Sequence, residues 1–383
     1  TSPTPSLAEI AGFSFSLIDN TGWYVPILYP EKNKNNFGND DLDIVLNSLR
    51  NLFEDETLHK SGQNIKNDIY VLKKYGINVK GVVFDTMIAA HLLNPSIRSI
   101  HLENLSLEYL NYQILNIDEL IGKGKNQILI SEVPIDKSSF YANEKADIIL
   151  QLTKILQQRL IDNSLYKFFR TIEIPLIPIL AEMEYNGVFV NSEMLSSMSR
   201  DIGKKLDNLM SSIFSNAKKE FNINSTQQLA IILFDELELP QIKKRSTAEE
   251  VLKKLKDYHE LPLMILEYRK YYKLKNTYLD SLQELINKST HRTHSTFNQT
   301  IASTGRLSST NPNFQNIPIK RDEGREIRKA FIAQEKGWKI LSADYSQIEL
   351  RIMAHFSQDS GLMDSFYKNE DIHSKTASLV FNV

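Results

Sequence analysis

The stretch "KILSADYSQIELRIMAHF", residues 339–356, changes its pattern midway. Its first half is a short apolar run, with Ile340 and Leu341, that ends on an acid, Asp344. Its second half repeats apolar residues at Ile348, Ile352 and Phe356. A repeat of four is helical, whereas a short apolar run bounded by polar residues reads as a buried strand. The segment therefore predicts a strand with Asp344 at its tip, then a helix with Glu349 in its first turn. A carboxylate on a rigid strand end suits a hard cation such as Mg²⁺. The plainer readings are that Asp344 caps the helix and that Glu349 complements its dipole.

The chain has 383 residues, which at roughly 100–200 per domain allows two or three domains. No apolar run approaches the ~18 residues that a membrane helix needs, and no membrane partner is expected. There is no cysteine, so neither a disulfide framework nor a thiolate site is available; a reducing cytoplasm fits. The opening "TSPTPSLAEIAGFSFSL" lacks Met and the basic n-region of a signal peptide, and the chain reads as a piece of a longer one. A net charge of −2 argues against a surface that coats nucleic acid everywhere. Between Lys243 and Arg292, however, twelve Lys/Arg face seven Asp/Glu. Such a local surplus can serve a phosphate-facing surface, or simply a solvated helical face.

Residues 1–165 alternate strand-like runs, "FSFSLI" and "WYVPILY", with helical periods in "LDIVLNSLRNLF", "NDIYVLKKYG", "DTMIAAHLLN" and "KADIILQLTKILQQRL". That alternation predicts an α/β layer fold. Residues 166–295 read as almost entirely helical, broken by the Gly of "EYNGVFVN". Ser225 or Thr226 predicts an N-cap, and "STAEEVLKKL" predicts a capping box between Ser246 and Glu249; helix N-termini also attract phosphate. "GKGKNQ" lacks phosphate-loop spacing and reads as a basic surface loop. Residues 296–383 pass from a polar, turn-rich segment to the strand and helix quoted above.

That polar segment, "STGRLSSTNPNFQNIP" at 303–318, offers Arg306, Asn313, Gln315 and Asn316 as hydrogen-bonding groups. An ordered loop accounts for such a composition. A more particular account is the DNA minor groove, whose acceptors are nearly alike for A·T in either orientation and suit a reader of pair geometry rather than sequence. Together, "TGRLSSTNPNFQNIP" and "LSADYSQIELRIMAH" resemble family A DNA polymerases, in particular the bacterial DNA polymerase I group. The resemblance extends back through "LEYRKYYKLKNTY" to "GQNIKNDIYVLKKYGI" and forward to "DIHSKTA".

The resemblance implies an α/β exonuclease-like (RNase H-like) domain over 1–165, without its first strand. It implies the way into the palm and a mostly helical thumb over 166–295. The first part of an α+β polymerase palm and the start of the fingers then occupy 296–383, with the rest of the palm and the fingers missing. The implied activity is DNA-templated DNA synthesis in repair and replication by a two-metal mechanism, on primer-template DNA with deoxynucleoside triphosphates, by a monomer. Asp344 is the implied Mg²⁺ ligand and catalytic acid, with the backbone carbonyl of Tyr345 beside it. Glu349 resembles the gate that excludes ribonucleotides, Gln347 and Arg306 the contacts to the primer-terminal pair, and His373 a triphosphate contact. In the thumb, Arg269, Lys273 and Lys275 are expected to face DNA phosphates, while Tyr271, Leu274 and Tyr278 form the buried stripe. A second Mg²⁺ acid and the fingers helix are expected outside this chain, which alone is expected to be inactive.

In the first domain, Asn64 and Asp68 share a helix face, and Asp68 resembles an exonuclease metal ligand. At the other end of the domain, Lys145 stands four residues after Tyr141, where the resemblance implies an Asp. A lysine brings positive charge to a place meant for a divalent cation, and Glu144 and Asp147 are rotated away from it by about 100° or more on a helix. Editing is therefore expected to be crippled. The competing readings are a catalytically dead DNA-binding relative and a single-subunit RNA polymerase; Glu349 and the exonuclease-like domain argue against the latter. A bacterial nucleoid is the expected location, with an organelle left open.

Overall fold

The computed structural model describes residues 1–2, 4–28, 40–97, 99–318 and 322–381. The chain forms two units, Thr1–Phe331 and Ile332–Val383.

The first unit begins with an antiparallel hairpin, β1 (Gly12–Phe15) and β2 (Trp23–Pro26), pairing Phe13 with Val25. Both expected strands form, each shorter than its apolar run; Tyr29, the end of the second run, lies outside the described residues. Helix α1 (Asp40–Glu54) follows. Strand β3 (Lys60–Gly62) then leads into α2 (Ile65–Lys74), and β4 (Val82–Asp85), parallel to β3, leads into α3 (Thr86–Leu93). Helix α4 (Leu102–Leu110) precedes the long α5 (Ile135–Asp162). Leu152, Leu156 and Leu160, at helical spacing on α5, are fully buried with Phe84 and Ile88 in one core. The four helical periods of 1–165 are thus all helices, and strand–helix alternation is the observed plan.

Helix α6 (Ile174–Asn186) ends at Gly187, whose φ of 58° places it in the left-handed region. A Cβ there would lie 2.7 Å from His294 Nδ1 and 2.8 Å from the Thr293 carbonyl oxygen, so only glycine lets the chain turn this close to its neighbour. Next come β5 (Val188–Phe189), α7 (Ser192–Ala217), α8 (Thr226–Ile231), α9 (Glu249–Leu255) and α10 (Leu261–Lys273). Their apolar faces form a second core that includes Leu195, Leu229, Leu252, Ile265 and Leu274. After α8 and after α10 the helix widens into π-type turns, at Ile232–Glu236 and Leu274–Asp280.

Strand β6 (Arg292–Thr293) pairs with β5. Strands β7 (Thr296–Asn298) and β8 (Ser308–Thr310) make an antiparallel hairpin. Helix α11 (Asp322–Arg328) follows, and Ile327 and Ala330 enter the second core.

The second unit holds α12 (Ile348–Ser357), α13 (Ser360–Tyr367) and α14 (Ile372–Phe381). The expected buried strand is absent: residues 338–345 form no ladder, and Leu341 is 91% exposed. An apolar run becomes a strand only when a neighbouring edge accepts its amides and carbonyls, and among the described residues none does. Ile348, Ile352 and Phe356 form the expected stripe on α12 but stay exposed.

Candidate functional sites

The polar segment is built largely from its own side chains. The Gln315 side-chain amide donates to the Leu307 carbonyl at 2.8 Å, and its oxygen accepts from the Ser309 amide at 3.3 Å. Asn313 caps the following turn by accepting from the Gln315 amide at 3.0 Å. Buried Ser295 joins the two sides of the segment, donating to the Pro312 carbonyl at 2.8 Å and meeting the Ser309 hydroxyl at 2.8 Å. The Tyr278 hydroxyl donates to the Asn316 carbonyl at 2.8 Å, tying the segment to the helix after α10. Arg306, Asn313, Gln315 and Asn316 are all exposed. Internal bonds thus hold an exposed polar ledge in shape.

On the following helices, Ser225 is the N-cap of α8 and accepts from the Gln228 amide at 3.4 Å. The capping box at Ser246 does not form, because the Ser246 hydroxyl accepts from the Ala248 amide and the helix starts only at Glu249. Glu249 turns forward to Lys253, 2.7 Å away. Between these helix starts lies a groove of about 990 Å³ lined by Asn224, Thr226, Gln227, Arg245, Thr247 and Arg269. Arg269 does not point freely outward: it donates to the Thr247 hydroxyl at 3.3 Å and to its carbonyl at 2.5 Å. Burial there pulls its pKa down from the ordinary guanidinium value. Lys275 is likewise engaged, 2.8 Å from Asp280 and 2.7 Å from the Ser199 hydroxyl. Lys273 is exposed. The tyrosine stripe packs as expected, with Leu274 buried and Tyr271 and Tyr278 against the core.

In the first domain Lys145 meets Tyr141 and its charge acts on Asp68, whereas Asn64 precedes α2 and does not share the helix face expected with Asp68. Asp68 lies on α2, reaching solvent from a setting where protein surrounds it on most sides. That surrounding protein and the neighbouring Asp85 push its pKa up to about 7, against the opposing pull of Lys145. The Lys145 ammonium lies 3.1 Å from the Tyr141 hydroxyl and over its ring. Asn64 starts α2 in a left-handed conformation, without a side-chain capping bond. Asp85 was not anticipated, although an acid directly before a helix is a recognisable cap signal. It accepts from the Ile65 amide at 2.8 Å and from Met87 and Ile88 at 2.9 and 3.2 Å, capping α2 and α3 together. Burial pushes its pKa up, and these amides pull it down. The two acids nearest Lys145 in sequence are committed elsewhere. Glu144 accepts from the Tyr112 hydroxyl at 2.8 Å and the Leu115 amide at 2.9 Å. Asp147 accepts from the Asn20 amide at 2.7 Å and the Gln151 side chain at 2.8 Å.

In the second unit, Asp344 and Tyr345 are exposed, Gln347 adopts a left-handed conformation just before α12, and Glu349 lies in its first turn. His373 is exposed in the first turn of α14, its amide donating to Asp371 at 2.8 Å.

The two acid sites differ as places for a divalent cation. Asp344 with the Tyr345 carbonyl offers hard oxygens open to solvent, a fitting start for Mg²⁺. At Asp68 the charge of Lys145 acts against a cation. Among the described residues no group of three or more His, Cys, Asp or Glu side chains is arranged to hold a metal.

Comparison with known proteins agrees with this layout. Residues 192–383 match DNA polymerase family A, and residues 19–161 match a 3′-5′ exonuclease family. The chain is 41% identical to DNA polymerase I of Pseudomonas aeruginosa, over 98% of its own length and 42% of that protein. It is 38% identical to DNA polymerase I of Chloroflexus aurantiacus, over 100% of this chain and 41% of that one. The chain thus spans about two fifths of the length of the curated relatives it matches. Among solved structures, the POL domain of Pol1 from M. smegmatis, in complex with DNA primer-template and dNTP, superposes with a TM-score of 0.78 at 32% identity. That match covers 94% of this chain and 59% of that one. With an exonuclease-like domain, helical segments of thumb type and the motifs of a polymerase palm, this chain belongs to DNA polymerase family A.

Proposed function

We propose that the protein carrying this chain is a DNA-templated DNA polymerase of the repair and replication kind, whose exonuclease-like domain does not edit. The family match over 192–383, which includes Arg306, Asp344, Glu349 and His373, carries the polymerase reading. Exonuclease-like, thumb and palm portions are assigned within this proposal to 1–165, 166–295 and 296–383. Asp344 and the Tyr345 carbonyl would hold Mg²⁺, which when bound supplies the charge neutralisation that phosphoryl transfer requires. Glu349 would crowd a ribose 2′-hydroxyl, and His373 would face the incoming triphosphate. Gln347 and Arg306 would contact the primer-terminal pair, with Asn313, Gln315 and Asn316 completing the ledge. The Ser225–Thr226 helix start and Lys273 would make the thumb contact to the duplex, with Arg269 and Lys275 holding the neighbouring structure through Thr247 and Asp280. Similarity to a polymerase solved with primer-template and nucleotide supports those partners. No described helix is long and apolar enough to cross a membrane; action as a monomer at a bacterial chromosome is part of the same proposal.

The non-editing reading rests on Lys145. Its charge acts on Asp68, while Glu144 and Asp147 are held by other partners. A second reading is DNA binding without catalysis, which the exposed polar ledge and the exposed Lys273 would serve equally.

Primer extension by the complete protein in Mg²⁺ separates the two. Asp344→Ala is expected to lower the rate about 10³-fold, the worth of several kcal/mol of charge stabilisation, with duplex affinity retained. Equal extension by the variant and the parent removes Asp344 from the mechanism, and no extension by the parent favours the second reading.

A further inference from the structure

Helix α2 has two working faces. Asp68 lies on one; Lys66, two residues earlier, is about 200° away on the helix. Lys66 is 6% exposed, and its ammonium pairs with the carboxylate of Glu184 on α6, itself 3% exposed. Tyr70, one turn further along α2, packs edge-on against Tyr185 with ring centres 5.6 Å apart. Lys73, another turn on, pairs with Glu182. Residues 66, 70 and 73 thus form a stripe on α2 that docks against 182–185 of α6.

The Glu184 carboxylate does more than neutralise Lys66. Its Oε1 also accepts from the Phe297 amide of β7 at 2.7 Å, and its backbone carbonyl lies 2.9 Å from His294 Nδ1. Strand β7 pairs with β8, and β8 runs directly into the polar ledge of Asn313, Gln315 and Asn316. One buried carboxylate therefore joins the exonuclease-like domain, the helix leading to the palm and the hairpin that carries the ledge. A buried ion pair is a costly way to gain stability, because desolvation offsets most of the attraction. Its more specific effect is to fix one arrangement of the groups it connects.

Resting on the polymerase reading above, we infer that Glu184 is a positioning residue: through Lys66 and the Phe297 amide it holds the β7–β8 hairpin, and so the primer-facing ledge, against the exonuclease-like domain. In this account a domain that does not edit is retained as a support for the ledge.

The test uses the full chain with Lys66→Met, Glu184→Gln and the double variant. Glutamine keeps an oxygen for the Phe297 amide, while each single substitution leaves the other charge buried alone; the double variant buries none. Two quantities are measured: amide hydrogen exchange of residues 296–310, and affinity for a labelled duplex with a recessed 3′ end. Each single variant should speed exchange across the hairpin by at least about tenfold and weaken duplex binding several-fold. The double variant, which buries no lone charge but lacks the bridge, should keep the faster exchange and the weaker binding. Lys73→Met, which breaks the more exposed pair of the same stripe, should leave the hairpin unchanged. Hairpin exchange that stays at the parental rate in both single variants overturns the inference, as does a double variant whose hairpin returns to the parental rate, since the lone buried charge alone would then account for the singles. A parent chain that fails to bind the duplex counts against the polymerase reading instead, and the exchange measurement still decides the role of Glu184.

Discussion

A single lysine carries the proposal that the first domain does not edit. Lys145 stands beside Asp68 where the resemblance to family A polymerases implies a carboxylate, and a permanent positive charge there opposes a divalent cation at the same place. Lys145→Asp in the complete protein should therefore raise removal of a mismatched 3′ nucleotide, read as primer shortening; an unchanged rate leaves the block elsewhere. Asp68 carries a second, independent prediction. Its pKa is raised from 3.8 to about 7 in the folded chain, so folding favours its protonated form. The stability this contributes is complete below the unfolded value and is lost as pH rises through the folded one. Thermal denaturation from pH 4 to 8 should show that decline in the parent and a flatter profile in Asp68→Asn. The identities and spacing of Asp68, Tyr141 and Lys145 were legible in the sequence because they sit at helical intervals in matching motifs, whereas Asn64 precedes α2 in a left-handed conformation and does not share the helix face of Asp68. Asp85 and Glu184 were not legible, because their partners lie on other elements.

At the scale of elements, periodicity read the helices well and the isolated strands poorly. The helix stripes of α1, α2, α3 and α5 formed because each stripe meets an apolar surface in its own domain. The run before Asp344 remained extended and exposed because strand formation depends on a partner edge, which no periodicity encodes. The same limit applies to charge. Basic residues alternating with tyrosines located the stripe of α10 but not the partners of its cations: Arg269 turns to Thr247 and Lys275 to Asp280. The two lysines should accordingly separate on mutation. Lys273→Ala should lower the slope of log affinity for duplex DNA against log salt by about one. Lys275→Ala should mainly lower stability by leaving Asp280 without its cation, seen as an earlier unfolding midpoint in urea. A stability loss confined to Lys273→Ala would reverse this assignment.

For the whole molecule, two family matches divide the chain, an exonuclease family over 19–161 and a polymerase family over 192–383. Structurally, the hairpin, the ledge and the exonuclease-like domain all belong to the unit Thr1–Phe331, while Asp344 belongs to Ile332–Val383. Synthesis without proofreading is the proposed activity. Its most direct test is the length of a 5′-labelled primer with a mismatched 3′ nucleotide, annealed to a template and incubated with the complete protein in Mg²⁺. Without nucleotides the primer should keep its length, and a matched primer given all four deoxynucleotides should extend to the template end. Shortening of the mismatched primer, or no growth of the matched one, contradicts the account.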